Sequence, residues 1–462
     1  SFGFLVLLFN APRRPSGISV RTVITTVLVC IGANLVNLLA INAYPQALRA
    51  SGYCEEADLE KSRNMARRLL TQSVALNLLH EFGQSRQPVF AAARFERTPF
   101  TPGETALLGE LGLTVEDGLL PPHQTFLYKR VVVIVSESFH RDYLHYYNPA
   151  IPAAATMFLD QLLATYPHVD NYYTANRPTT FGLNAMFLSQ LMYAEEQAFD
   201  GNTTLFKVLQ QNGYHTLFLE ATSQYYDDEY RKYKKRFGMQ TYRAKEDLEK
   251  LGYTGSTGWG FHNDVMYAET VRILEENRDN KAFIVTKLID SHQPYPYCGI
   301  PDADIPAALK NNIYLRAIYW EDRSLEKFFR ELENRNLLDN ETLVIFTSDH
   351  NPHPSNDDDY TELGQGELRR NIAPIPLIFV SRNLRPFTDL NSAAFASQID
   401  FAPTLLGILG IPAPPHFSGK NILSYPKDLS FALGNVGETL YYWSIDRQLS
   451  TDMYTDAGQD AY

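Results

Sequence analysis

Residues 23–41 read VITTVLVCIGANLVNLLAI and carry no charge. A helix of that length just spans a bilayer core of about 30 Å. Asn34 and Asn37, three residues apart, share one helical face, where a second spanning helix would accommodate them. Residues 1–9 are apolar too, and they run into Asn10-Ala11-Pro12-Arg13-Arg14-Pro15, so they read as the tail of an earlier span. Arg13, Arg14 and Arg21 precede the second span, whereas Arg49, Glu55 and Glu56 follow it. The positive-inside rule then predicts a multi-pass cell-membrane protein, with everything after about residue 42 extracytoplasmic.

Beyond this membrane segment (1–43) the pattern changes period. Apolar Leu59, Met65, Leu69, Leu70, Val74, Leu78, Leu79 and Phe82 recur near helical spacing with arginines between them, and residues 98–124 are rich in Pro and Gly. Segment 44–128 is therefore expected to be an amphipathic helix and a linker. From Arg130, the run Val131-Val132-Val133-Ile134-Val135 has the β-branched continuity of a strand buried on both faces. Ala282-Phe283-Ile284-Val285 and Thr342-Leu343-Val344-Ile345-Phe346 repeat it, and helical patterns at 157–166, 204–212 and 314–336 lie between. Alternation of this kind predicts an α/β domain over 129–425, with a mostly parallel central sheet and helices on both faces. A short antiparallel pair is expected in 426–462, from residues 438–444 and 448–454.

Composition narrows the function. A net charge of -12 and a pI near 5.4 argue against a nucleic-acid partner. The basic run at 231–236 follows Asp227-Asp228-Glu229 and reads as a solvated helix face. Cys30, Cys54 and Cys298 are too few and too scattered for a zinc cluster or a disulfide framework.

Four polar clusters stand at element ends. They are Ser136-Glu137-Ser138, Arg177-Pro178-Thr179-Thr180, Asp290-Ser291-His292 and Ser348-Asp349-His350. In parallel sheets, ligands gather at the carboxyl ends of strands, and carboxylates with imidazoles there suit a divalent cation. Pro178 favours a helix start, which sets Thr179 or Thr180 near backbone N–H groups able to receive phosphate oxygens. A threonine hydroxyl needs a cation to become a competent nucleophile.

Taken together, Val133-Ile134-Val135-Ser136-Glu137-Ser138-Phe139, Thr179 with Met186-Phe187, Ser291-His292, Ser348-Asp349-His350 and Asp400-Phe401-Ala402-Pro403-Thr404-Leu405-Leu406 resemble the sulfatase-like branch of the alkaline phosphatase superfamily. Within it the chain is most similar to the lipoteichoic acid synthase and phosphoglycerol transferase group, and somewhat less to the lipid A phosphoethanolamine transferases. The resemblance implies that Glu137, Thr179, Asp349 and His350 hold one divalent cation, Mn first with Zn or Mg as alternatives. It makes Thr179 the nucleophile and His292 the residue that contacts phosphate or leaving group. Trp259, Arg177 and His353 are carried over as substrate-binding positions, and His353 is the candidate for a second metal. Thr179 is preferred to Thr180 because its distance to Met186-Phe187 fits the phosphoethanolamine transferase pattern, with Gly182 leaving room for substrate oxygens. The implied reaction moves a head-group unit from a phosphatidylglycerol-like donor to a glycan or glycerolipid acceptor, or to water. No Cys or Ser followed by Pro and Arg at the required places is present, so sulfate-ester hydrolysis through formylglycine is not expected.

Overall fold

The computed structural model describes residues 128–452 apart from short internal segments, the longest being 353–371. The expected membrane segment, the amphipathic helix and linker, the three cysteines and His353 lie outside the described residues. Among the described residues no helix is long and apolar enough to cross a membrane.

Among the described residues the central sheet has six strands. β1 (Arg130–Ser136), β3 (His215–Glu220), β4 (Thr241–Arg243), β5 (Ala282–Lys287), β6 (Thr342–Ser348) and β7 (Leu377–Val380) are ordered β4-β3-β5-β1-β6-β7. All neighbours are parallel except β6 and β7. A shorter parallel pair joins β2 (Asn171–Tyr173) to β8 (Phe395–Ser397).

Every residue of β1 is buried, and its side chains alternate between two apolar layers. Val132 and Ile134 pack with α1 (Met157–Thr165), α5 (Asn263–Glu276) and α6 (Ile313–Asn334). Val131, Val133 and Val135 pack with α2 (Thr179–Leu188), α3 (Leu205–Gln211) and α7 (Phe401–Ile408) on the other face. A further helix, α4 (Lys245–Lys250), follows β4. Helices thus cover both faces, which is why the central strands read as unbroken β-branched runs.

The expected C-terminal antiparallel pair is present, and a further strand joins it. β9 (Phe431–Val436), β10 (Thr439–Ser444) and β11 (Gln448–Asp452) form a three-stranded antiparallel sheet. Trp443 of β10 stacks on Tyr173 of β2, with ring centroids 4.6 Å apart, and fastens this sheet to the main domain.

Candidate active site

β1 lies between β5 and β6, and their carboxyl ends finish level: Val135 is in register with Lys287, and Ser136 with Ser348. The next residues beyond β1 and β6 are Glu137 and Asp349-His350, so the sheet itself brings these groups together. One ligand atom from each of Glu137, Asp349 and His350 lies within 4.8 Å of the other two.

Local hydrogen bonds fix the turns that present them. Ser348 Oγ accepts from the Phe139 N–H at 2.9 Å and lies 3.0 Å from the Ser136 carbonyl, tying the two strand ends. Ser138 takes the left-handed backbone conformation, φ 50°, uncommon for a residue with a side chain. That turn lets its N–H donate to Asp349 Oδ1 at 2.9 Å while its hydroxyl donates to Glu137 Oε1 at 2.7 Å. His350 Nδ1 donates to the Asn351 carbonyl at 2.8 Å, which leaves the Nε2 lone pair directed at the cluster. Gln398 donates its amide to the carbonyls of Ser348 and Asp349, at 3.1 and 2.6 Å.

Thr179 is the first residue of α2. Its Oγ1 is 3.4 Å from Glu137 Oε2 and 3.3 Å from His350 Nε2. Thr180 turns away into the protein, 3.5 Å from the Tyr233 hydroxyl. Gly182 does not leave room for a substrate, as its place in the motif suggested. A Cβ there would come within 1.9 Å of the Asp349 carbonyl oxygen, so the missing side chain lets α2 press against the ligand-bearing loop.

The ligand groups are also less accessible than strand-end loops usually are. Glu137 and Asp349 are 1% and 0% exposed, and His350 is buried. Two carboxylates are tolerated there because a cation stands beside them. Lys287 Nζ donates to Glu137 Oε2 at 2.7 Å and is 3.9 Å from Asp349 Oδ2. Burial pushes the Glu137 carboxyl up, but the charges of Lys287, His350 and His292 outweigh it and hold Glu137 well below the usual range. Asp349 goes the other way, raised by burial and by the Glu137 charge. Burial would strip Lys287 of its proton, yet Glu137, Glu220 and Asp349 keep it charged.

These features fit a divalent cation. The donors are two carboxylates, one imidazole and one hydroxyl, and Asp349 Oδ2 is buried with no hydrogen-bond donor among the described residues.

His292 and Trp259 form a separate, half-buried part of the site, their rings 4.4 Å apart, and His292 is close enough for its charge to act on Glu137. Asp290 does not join the ligand cluster. It accepts from His262 Nδ1 at 2.7 Å, from the Asn263 N–H at 2.9 Å and from Trp320 Nε1 at 2.5 Å. Asp322 caps α1 through the N–H groups of Phe158 and Leu159. Arg177 is half-buried beside Pro178, its N–H bonded to the Asn176 side chain at 2.6 Å.

Three ionisable groups near the centre have no counterpart in the motif reading: Lys287, Glu220 and Glu321. Each is buried. Burial, opposed by Lys287, pushes Glu220 up to about 6, and burial with nearby Asp290 and Asp349 pushes Glu321 up to about 8. The signal was a charged residue closing an apolar strand, as in His-Thr-Leu-Phe-Leu-Glu (β3) and Ala-Phe-Ile-Val-Thr-Lys (β5).

Comparison with known proteins agrees with this architecture. Among solved structures, the fold is similar to a protein in the alkaline phosphatase superfamily from Vibrio parahaemolyticus (TM-score 0.56, 19% identity, 72% of this chain and 81% of that one). It is also similar to the lipoteichoic acid synthase LtaP from Listeria monocytogenes (TM-score 0.56, 16% identity, 75% and 90%). Lipoteichoic acid synthase 2 of Bacillus subtilis is 25% identical over 183 residues, 36% of this chain and 26% of that protein. A 2,3-bisphosphoglycerate-independent phosphoglycerate mutase of Antithamnion sp. is 30% identical over 115 residues, 24% and 20%. These alignments span only about a quarter or less of the curated relatives. The sulfatase family model matches residues 129–411, most of the chain, and therefore this protein belongs to the sulfatase family.

Proposed function

We propose that this protein is a metal-dependent phosphotransferase that moves a phospholipid head-group unit, phosphoglycerol first, to an acceptor hydroxyl through a phosphothreonine at Thr179. The observation that carries the reading is the placement of Thr179 Oγ1 against both Glu137 and His350, where a hydroxyl and no formylglycine precursor stands. Glu137, Asp349, His350 and Thr179 would hold a divalent cation, Mn first, which would lower the pKa of the hydroxyl and offset charge on the phosphate.

The chain's own groups do the rest. The Thr179 hydroxyl proton leaves to solvent, Oγ1 bonds to phosphorus, and the bond from phosphorus to the diacylglycerol oxygen breaks. His292 delivers a proton to that oxygen. In the second half His292 takes the proton of the acceptor hydroxyl, whose oxygen bonds to phosphorus as the Thr179 bond breaks. Trp259 supports the His292 ring, and Arg177 stands beside the nucleophile helix to take substrate charge. The donor is a membrane lipid, which agrees with the apolar sequence at 23–41 and with a catalytic domain outside the cytoplasm.

Incubation with labelled phosphatidylglycerol, with and without a glycan or glycerolipid acceptor, tests this. Label is expected on the acceptor and on Thr179. Free glycerol phosphate alone in both reactions would instead make the enzyme a phosphodiesterase, and labelled phosphatidylethanolamine in a parallel reaction distinguishes the head group.

A further inference from the structure

Trp259 and His292 come from separate loops, yet their rings meet 4.4 Å apart. His292 closes the turn that follows β5. Its N–H donates to the Ile289 carbonyl at 2.9 Å, and within the turn Ser291 Oγ donates to the Glu137 carbonyl at 2.5 Å. Trp259 belongs to the segment that leads into α5. There Gly260 pairs antiparallel with Thr222, just past the end of β3, and the Phe261 N–H donates to the Ala221 carbonyl at 3.0 Å. A Cβ on Gly260 would come within 2.3 Å of that same carbonyl oxygen, so the segment lies flat against the strand end.

Asp290 joins the two loops. It precedes His292 by two residues and is 4% exposed. Its Oδ1 accepts from His262 Nδ1 at 2.7 Å, and its Oδ2 accepts from the Asn263 N–H at 2.9 Å and from Trp320 Nε1 at 2.5 Å. An ordinary helix cap needs only the bond to Asn263, which satisfies one of the first N–H groups of α5. The bond to His262 does something more. His262 is the residue before α5, three beyond Trp259, and its side chain makes no capping bond to that helix. The ring turns to Asp290 instead. A closed circuit results: Trp259 to His262 along the chain, His262 to Asp290 through their bond, Asp290 to His292 along the chain, and His292 back to Trp259 through the rings. Trp320, from α6, anchors the carboxylate of this circuit to the body of the domain.

We propose that His262 and Asp290 are a positioning pair: their bond fixes the Trp259 segment relative to the His292 turn and so holds the His292 ring where it carries protons for phosphoryl transfer. The proposal rests on the reading of His292 as the proton carrier of the proposed function. Both residues act through His292. Misplacing a reacting group by about 1 Å costs about a hundredfold in rate, which sets the scale of the effect.

The test measures, on the full chain, kcat with labelled phosphatidylglycerol or phosphatidylethanolamine, whichever is turned over, together with the dissociation constant for Mn²⁺. His262→Phe keeps a ring and removes the N–H, while His262→Asn keeps an amide N–H near the place of Nδ1. His262→Phe is expected to lose about tenfold to a hundredfold in kcat with Mn²⁺ affinity unmoved, and His262→Asn to recover most of that loss. Added to His292→Ala, His262→Phe is expected to cost nothing further, because two residues acting through one group are not additive. A merely structural histidine would lower kcat in both backgrounds. Wild-type kcat in His262→Phe, a His262→Asn as slow as His262→Phe, or a further loss on top of His292→Ala would overturn the proposal. Should His262→Phe not fold, His262→Ala enters the same comparison in its place. Failure of the underlying reading has a different signature: neither lipid turned over by wild type, or His292→Ala as fast as wild type.

Discussion

Thr179 and Thr180 differ by one residue, about 100° of rotation on a helix, and that rotation sends one hydroxyl to Glu137 and His350 and the other toward Tyr233. Thr179→Ala is expected to lower turnover at least about a thousandfold and abolish the trapped phosphoprotein. Thr180→Ala should keep both and lose about 1 kcal/mol of stability, and peptide mass spectrometry with urea unfolding checks the pair. Glu321 gives a second residue-level prediction. Its carboxyl sits near 8 in the fold against 4.5 ordinarily, so the native state binds its proton more tightly than the unfolded chain does. Its contribution is therefore full below about pH 4.5 and lost as pH rises toward 8, by up to about 1.4 kcal/mol per unit. In metal-free protein, Glu321→Gln should flatten this part of the stability profile and exceed wild type above pH 8; an unchanged profile from urea titrations would refute it. Glu137, Thr179, Asp349 and His350 were legible because each adjoins a strong apolar element in a family-like order. Lys287, Glu220 and Glu321 were not, because a single charge closing an apolar strand or lying within a helix acquires meaning only from what faces it across the sheet.

Elements were legible in proportion to their burial. β1, β5 and β6, covered on both faces, announce themselves as β-branched runs, whereas β4 and β8 are three residues each and too short to show any period. β9 was illegible for another reason. Its sequence Phe-Ala-Leu-Gly-Asn-Val has weak strand propensity at Gly434-Asn435, and tertiary contacts choose the conformation. Asn435 donates its N–H to the Ala175 carbonyl at 2.7 Å and accepts from Asn176 Nδ2 at 3.0 Å, so the C-terminal sheet braces the segment that leads into Thr179. The apposition of α2 and the Asp349 loop yields a sharper test. Gly182→Ala must move one backbone away from the other, so we expect a loss of about 1–3 kcal/mol in stability together with a weaker grip on the cation. Thermal unfolding with and without Mn²⁺ measures both, and a variant with wild-type stability and wild-type metal response would show that the loops yield freely.

At the scale of the molecule, the sulfatase-family domain is a sheet between two apolar layers with its chemistry concentrated at one end of the strands. A ligand there stabilises the whole cooperative unit: a cation at 100 times its dissociation constant should add about 2.7 kcal/mol, and chelation should remove it. Calorimetric scans with Mn²⁺, Zn²⁺ and Mg²⁺ would rank the metals, and no response to any of them would sink the metal reading. The layered α/β plan was readable from the alternation of strand and helix patterns, while the third C-terminal strand was not. Topology belongs to this scale too. Protease applied outside permeabilised cell envelopes is expected to release an active fragment that begins beyond residue 42, and a protected domain would overturn the extracytoplasmic placement. The ring contacts described earlier also make the protein report on itself optically. Its three tryptophans occupy three different settings: Trp259 lies against His292, Trp320 donates to Asp290, and Trp443 stacks with Tyr173 and with Tyr441. Emission from single-tryptophan variants would then separate substrate arrival, rearrangement behind the site and detachment of the C-terminal sheet, each as its own colour shift or change in quenching, without any attached dye.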